Sequence, residues 1–256
     1  GQFTKAPCLK PNCSLGDKKC IKLKIHYINN SGGQSNAPSD EFFRNFLNQI
    51  NAFYSGGNIE FTYETECIHR VDMPGKNKSS LNSDLVKDAN GKIIEGTAFD
   101  YKANYFNAYI YQVNGGGGYS YGADDPKNEF FQAELDALTF AHELGHTLSL
   151  SHTTSGQDFM DPSTWECIGG SLTKADMIPD TDADPFGMDI DHDHLKDRFK
   201  WVNKNNCTNN SSIFLYPDAC GNYNWNPPID NIMQADDSMD NNKGCWKRFT
   251  PCQYSA

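Results

Sequence analysis

The stretch HELGH, residues 142–146, combines two histidines and a glutamate at a spacing that suits metal-dependent hydrolysis. On a helix, His142 and His146 lie on one face, because residues four apart are neighbours, and their imidazoles can share a tetrahedral zinc ion. Glu143, one residue round the helix, can reach a zinc-bound water and take its proton as the water attacks a carbonyl. The alternative for these five residues alone is a surface helix with two solvated histidines.

A third histidine, His152, follows in HELGHTLSLSH. It lies too far along the chain for one continuous helix to present all three imidazoles to one ion, so the helix must end and the chain must turn back. Farther on, Met233 stands in the turn-like segment DNIMQADD. With these features the sequence resembles the metzincin clan, whose long zinc motif is H-E-x-x-H-x-x-G-x-x-H and whose domain carries a Met-turn. The resemblance implies that His152 is the third zinc ligand and that Met233 forms the Met-turn.

Two further stretches resemble the pappalysin family of metzincins: ECIGGSLTKADMIPDTDADP, residues 166–185, and DNIMQADDSMDNNKGCWKRFTPCQ, residues 230–253. The first hundred residues resemble that family only in their strand–helix–strand order. The resemblance implies a structural calcium ion and two disulfides. The residues implied are Asp176, Asp180 and Thr181 near calcium, and the pairs Cys167–Cys220 and Cys207–Cys245. The alternative for the acidic segment is a set of solvated loops.

The sequence departs from the family pattern at two positions. Ser149 stands where the family has a glycine, at a helix end that can need a positive φ, and a non-glycine residue there costs about 1 kcal/mol. Ala235 stands where relatives often carry a tyrosine that helps to stabilise the tetrahedral intermediate. Either departure is compatible with a second hypothesis, a zinc-binding protein of the same fold that acts by binding and has weak or no catalytic activity.

Apolar periodicity predicts the elements that position the zinc site. Alternation predicts strands over 21–28, 58–64 and 107–113, with a short extended piece near YSYGA. Ser39 or Asp40 can cap a helix over 41–54. We expect that helix to bury one face, and the zinc helix within 133–150 to press another against the sheet. The faces are Phe42, Phe46, Gln49 and Phe53 in the first helix, and Ala137, Ala141, Leu144 and Leu148 in the second.

These elements predict an α/β (α+β) metzincin catalytic domain with two subdomains. Residues 1–152 would form a twisted mixed sheet with packed helices, including the zinc helix. Residues 153–256 are rich in Gly, Pro, Asp and Asn and would form an irregular half, tied by disulfides and containing the Met-turn. One helix is predicted there, over 195–205.

Composition excludes several classes of protein. A net charge of −11 and a pI near 5.0 argue against nucleic acid as a partner, and no apolar stretch approaches the roughly 20 residues of a membrane span. Nine cysteines without a CxxC pair indicate disulfides and an oxidising compartment, with at least one thiol free or paired outside the chain. We therefore expect a secreted monomer, processed before Gly1 from a form with a signal peptide and a zymogen segment.

The function expected is hydrolysis of peptide bonds in proteins by a secreted zinc endopeptidase. The tract GGGGYSYGA, residues 115–123, either presents an unpaired strand to an extended peptide or forms a flexible hairpin tip. Asp236 or Asp237 would favour a basic residue after the cleaved bond. A zinc hydrolase acting on a non-peptide substrate is a further alternative, and His192 and His194 are more simply surface residues than ligands of a second metal.

Overall fold

The structure is a computed structural model, and it describes part of the chain. The described residues are 19–29, 38–63, 68–72, 105–111, 118–120, 129–132, 136–153, 163, 167, 176, 178, 181, 202–203, 207–209, 220–221, 230–233, 245 and 247–255. Two compact units are present, one spanning Asp17–Ser149 and one that contains Leu150–Ala256. The subdomain boundary predicted after residue 152 stays a prediction.

The first unit contains a mixed sheet in which strand β1, Lys19–Asn29, is central. Three strands run parallel to β1: β2 (Ile59–Thr62) along its first part, β3 (Ile68–Asp72) along its last part, and β4 (Phe106–Tyr111). Residues 23–29 of β1 and 107–110 of β4 are all buried, so both faces of these strands are covered, as is typical of strands with parallel neighbours. The alternation that identified both strands in the sequence therefore does not separate a buried face from an exposed one.

The sheet continues from β4 to two strands near the zinc helix. Strand β6, Glu129–Gln132, runs parallel to β4, and strand β5, Gly118–Ser120, runs antiparallel to β6 at the end of the sheet. The mixed α/β architecture expected from the sequence is confirmed. Sequence periodicity did not identify β3 or β6, because neither IHRVD nor EFFQ alternates apolar and polar residues.

Helix α1, Asp40–Tyr54, begins at Ser39, whose Oγ accepts a hydrogen bond from the Phe42 amide at 3.1 Å. Such a cap satisfies one of the amides that the first turn leaves without a helical partner. The predicted buried face is wrong by about one residue: Phe42 is 41 % exposed, and Gln49 is also exposed. The buried side chains are those of Phe43, Phe46, Leu47, Ile50 and Tyr54. Unlike the predicted stripe, this face contains no amide side chain, which is the reason it is the one buried.

Helix α2, Ala137–Thr147, carries the HELGH segment. Asp136 caps it, since its Oδ2 accepts hydrogen bonds from the Thr139 amide at 3.0 Å and from the Thr139 hydroxyl at 2.6 Å. From the side of α1, the Tyr54 hydroxyl donates to the Ala141 carbonyl at 2.7 Å. The helix is therefore fixed at its start and along its length, and it is buried on nearly every side.

The second unit contains short strands and disulfides among the residues described. Strands β7 (Val202–Asn203) and β8 (Thr208–Asn209) pair in antiparallel fashion. The helix predicted over 195–205 is therefore wrong at 202–203, where an antiparallel partner strand satisfies the backbone instead, and its other residues lie outside the described part.

Disulfides join Cys167 to Cys220 and Cys207 to Cys245, which are the pairs that the family resemblance implies. Cys252 is also disulfide-bonded, and within the described part of the chain the free cysteine is Cys20, on β1. No helix among the described residues is long and apolar enough to cross a membrane.

Candidate metal centre

Two of the predicted ligands lie side by side on α2. The Nε2 atoms of His142 and His146 are 3.1 Å apart, with ring centroids 4.6 Å apart and ring planes at 89°. His142 is fully buried and His146 is half-buried. A buried imidazole is not the solvated surface histidine of the alternative interpretation, and the two nitrogens converge on one point in space.

The end of α2 redirects the chain towards His152. The Leu148 amide donates to the carbonyls of Leu144 and Gly145, and the Ser149 amide donates to the carbonyl of His146 at 2.9 Å. Ser149 has a φ of 79°, in the left-handed region that the family glycine would occupy without strain. The glycine of the family pattern indicates a positive φ at this position, and Ser149 has it.

One ligand atom from each of His142, His146 and His152 lies within 4.8 Å of the other two. Tetrahedral zinc with bonds of about 2.0–2.1 Å separates its ligand nitrogens by roughly 3.3 Å, so the 3.1 Å between the two Nε2 atoms fits one shared ion. Three imidazoles with an open fourth position are typical of catalytic rather than structural zinc. Within the part of the chain that the structure describes, this triad is the group of metal-binding side chains close enough to hold an ion.

Glu143 lies next to His142 on α2, and it is only 2 % exposed. Its carbonyl accepts a hydrogen bond from the Thr147 hydroxyl at 3.0 Å. That hydroxyl also lies 3.1 Å from the Ser120 hydroxyl on strand β5. The glutamate is therefore held on a helix that is tied both to its own next turn and to the last strand of the sheet.

Met233 is fully buried, and its carbonyl accepts a hydrogen bond from the Thr153 amide, next to His152, at 3.0 Å. The Met233 amide donates to the Asn231 side chain at 2.8 Å. The Asn231 amide group in turn donates to Gln253 Oε1 at 3.0 Å. The residue that follows the third histidine is therefore linked to the predicted Met-turn and, through Asn231, to the end of the chain.

Two of the three residues near the implied calcium are described. Asp176 and Thr181 are each 1 % exposed, and the Ile178 amide donates to Asp176 Oδ1 at 2.9 Å. Burial of these side chains differs from the solvated loops of the alternative. Asp180 lies outside the described residues, as do Ala235, Asp236, Asp237, His192 and His194.

Comparison with solved structures identifies the architecture. The structure of mirolysin in complex with compound 9 superposes with a TM-score of 0.52 at 18 % sequence identity, covering 93 % of this chain and 90 % of mirolysin. Mirolysin is a metzincin. The chain has a metzincin fold. A second solved structure, a chaperone–substrate complex, has a TM-score of 0.34 at 14 % identity and covers 56 % of this chain and 25 % of its own, too weak a likeness for any argument. No protein-family model and no curated protein matches the sequence.

Several residues around the three histidines were not identified from the sequence. Asn231 and Gln253 support the segment around Met233, and the motif F-T-x-x-Q drew attention to the stretch but not to that contact. Gly118 lies against Glu143, although the two are far apart in the chain. Only the tertiary structure reveals such a contact, because no local pattern encodes it.

Proposed function

We propose that this protein is a secreted zinc endopeptidase of the pappalysin type, in which His142, His146 and His152 hold zinc and Glu143 is the catalytic base. The observation that carries the proposal is the convergence of three histidine ligand atoms within 4.8 Å beside a buried glutamate. The metzincin fold supports it, since that fold brings the three histidines of the long zinc motif together.

Zinc, when bound by the triad, polarises the scissile carbonyl and acidifies a water molecule. Glu143 supplies the proton transfers: its carboxylate accepts a proton from the attacking water and then donates it to the leaving amine. Burial of Glu143 keeps bulk water from competing for that proton. The cap at Asp136 and the bond from Tyr54 to Ala141 fix α2, so that Glu143 keeps its position relative to His142 and His146 on the same helix.

Secretion and the pappalysin assignment have separate support. Two disulfides in the C-terminal half suit an oxidising compartment. The paired cysteines are the ones that the family resemblance implies, and the segments 166–185 and 230–253 carry its motifs. We place the protein outside the cell as a monomer that cleaves proteins bound in an extended conformation.

A structural calcium ion near Asp176, Asp180 and Thr181 is part of the same proposal. Asp176 and Thr181 are both buried, and calcium takes carboxylate oxygens among its ligands. Calcium should raise the melting temperature of the wild type, and Asp176→Asn should abolish that rise. If calcium does not change the melting temperature of the wild type, the calcium part of the proposal is wrong.

The test is digestion of a mixed peptide library by the wild type and by Glu143→Ala, with zinc content measured in both. The matched control is Glu41→Ala, which removes an exposed glutamate from the first turn of α1. We expect the wild type and Glu41→Ala to cut, and Glu143→Ala to retain zinc without cutting. The cut sites also test whether a basic residue follows the cleaved bond, as Asp236 or Asp237 would favour.

The same experiment decides between catalysis and the second hypothesis of binding without turnover. If the wild type binds one zinc per chain but cuts no peptide, the endopeptidase proposal is wrong. Ser149 no longer favours the binding hypothesis, because the turn that it occupies forms with a serine present. The remaining support for the binding hypothesis is Ala235.

A further inference from the structure

Strand β5 is the last strand of the sheet and lies against α2. Its three residues pair with β6, with Gly118 opposite Gln132 and Ser120 opposite Phe130. Side chains two residues apart on a strand point to the same face. The contacts of both Gly118 and Ser120 are with α2, so this face of β5 is turned towards the zinc helix.

Gly118 leaves no room for a side chain beside Glu143. A Cβ atom added to Gly118 would overlap Glu143 Cγ and Oε1 and would lie 2.6 Å from Glu143 Cδ. Contacts this short do not occur between carbon atoms that are not bonded, so the Glu143 side chain rests directly on the glycine backbone. The carboxylate thus occupies the volume that any other residue at 118 would fill.

The backbone does not require glycine at this position. Among the described residues the glycine with a positive φ is Gly221, and Gly118 lies in strand conformation. Glycine in a strand is unfavourable, because it loses more conformational entropy on folding than other residues and has no side chain to pack. The residue type at 118 is therefore explained by space for Glu143 and not by chain geometry.

Ser120 fixes the relation between strand and helix. Its hydroxyl lies 3.1 Å from the Thr147 hydroxyl, which itself donates to the Glu143 carbonyl at 3.0 Å. Two contacts from one strand thus reach α2, one at the Glu143 side chain and one a single helical turn later. These two contacts fix the position of Gly118 relative to the Glu143 carboxylate.

We propose that Gly118 is a positioning residue for the catalytic glutamate. Because it has no side chain, it leaves space for the Glu143 carboxylate in the orientation that faces the zinc site. The proposal rests on the endopeptidase function proposed above. A larger residue would be accommodated mainly by rotation of the Glu143 side chain, because the three nearest atoms that a Cβ at 118 would meet all belong to that flexible side chain. The protein would remain folded and its zinc ligands would stay in place, but the Glu143 carboxylate would point away from the zinc site.

The first test is the steady-state kinetics of Gly118→Ala. A misplacement of about 1 Å costs roughly 100-fold in rate, so kcat should fall by that order while KM and zinc content stay within twofold of wild type. The control is Gly56→Ala, the same chemical change at an exposed glycine without a positive φ, which should leave kcat unchanged. A rise in KM at constant kcat would overturn the proposal, because it would place Gly118 in substrate binding instead.

The second test needs no activity and compares melting temperatures with zinc bound. Glu143→Ala removes Cγ, Cδ and Oε1, the three atoms that a Cβ at 118 would meet. Gly118→Ala should therefore lower the melting temperature by about 2 °C or more in the wild-type background, and should leave it unchanged or raised in the Glu143→Ala background. Equal shifts in both backgrounds would overturn the proposal.

The two tests separate this proposal from the proposed function. If the wild type cuts no peptide, the endopeptidase function fails, and the melting temperatures alone decide whether Gly118 sets the orientation of Glu143. If the wild type cuts and Gly118→Ala cuts equally well, the function stands and the positioning role is wrong.

Discussion

Ser149 ends the zinc helix with a φ of 79°, and replacing it with glycine should stabilise the protein. An L-residue in the left-handed region costs about 1–2 kcal/mol, a strain that glycine does not have. Against this gain stands the entropy that a new glycine adds to the unfolded chain, about 0.5–1 kcal/mol. The net expectation is a rise of about 0.5–1 kcal/mol in the free energy of unfolding. For a chain of this size, that corresponds to a melting temperature about 1–4 °C higher.

The assay is thermal unfolding of four proteins: the wild type, Ser149→Gly, Ser149→Ala and Ser151→Gly. Ser149→Ala removes the hydroxyl but keeps the Cβ atom that causes the strain, so it should bring no gain. Ser151→Gly makes the same substitution two residues later, where φ is not positive, so it should lower the melting temperature. Each protein is measured with zinc and after chelation, because a local backbone effect appears in both states.

A Ser149→Gly protein no more stable than Ser149→Ala would contradict this prediction. It would mean that the positive φ carries no strain in this turn. An equal gain in stability in Ser151→Gly would also contradict the prediction, because residue 151 has no positive φ to relieve.

Two further predictions concern the buried polar groups of each unit. Asn231→Ala should lower the free energy of unfolding by about 2 kcal/mol in denaturant titrations, because it removes the buried bonds to Met233 and Gln253. The control is its neighbour Asp230→Ala, which removes a surface ion pair with Arg248 and should cost less than about 1 kcal/mol. Equal losses in the two variants would contradict this prediction. Burial raises the pKa of the Tyr27 hydroxyl above its ordinary value of 10.0, so above that pH the unfolded chain releases a proton that the folded protein retains, and stability falls. Tyr27→Phe should reduce this alkaline loss measured by unfolding between pH 8 and pH 11, and an unchanged pH profile would show that Tyr27 does not contribute.

The zinc helix and its ligands could be predicted from the sequence because their signals are local. Four-residue spacing places His142 beside His146 on any helix, and the segment up to His152 forces a turn. The positive φ of Ser149 came from the metzincin resemblance instead, since that family has a glycine at this helix end.

The face of α1 was predicted wrongly even though its signal was present. The residues 42, 46, 49 and 53 and the residues 43, 47, 50 and 54 both recur at helical spacing, and the first set includes Gln49. The second set is apolar apart from one tyrosine hydroxyl, and all four of its residues are buried, whereas only Phe46 is buried in the first set.

Other features depend on pairing between distant segments, which periodicity does not encode. Strands β3 and β6 are short, and their partners lie tens of residues away in the chain. The contact of Gly118 with Glu143 has the same character. Such features follow from the tertiary fold, so a single sequence offers only weak signals for them.

Reconstitution of the metal site shows whether the three histidines bind a zinc ion that is needed for peptide cleavage. The wild type is stripped of metal and titrated with zinc, while bound zinc, its coordination by X-ray absorption and peptide cleavage are followed in one sample. We predict that activity returns in full at one zinc per chain, with three imidazole nitrogens at about 2.0–2.1 Å, and that His152→Ala loses both tight binding and cleavage. Zinc bound through thiolates, or cleavage by the metal-free protein, would contradict the account.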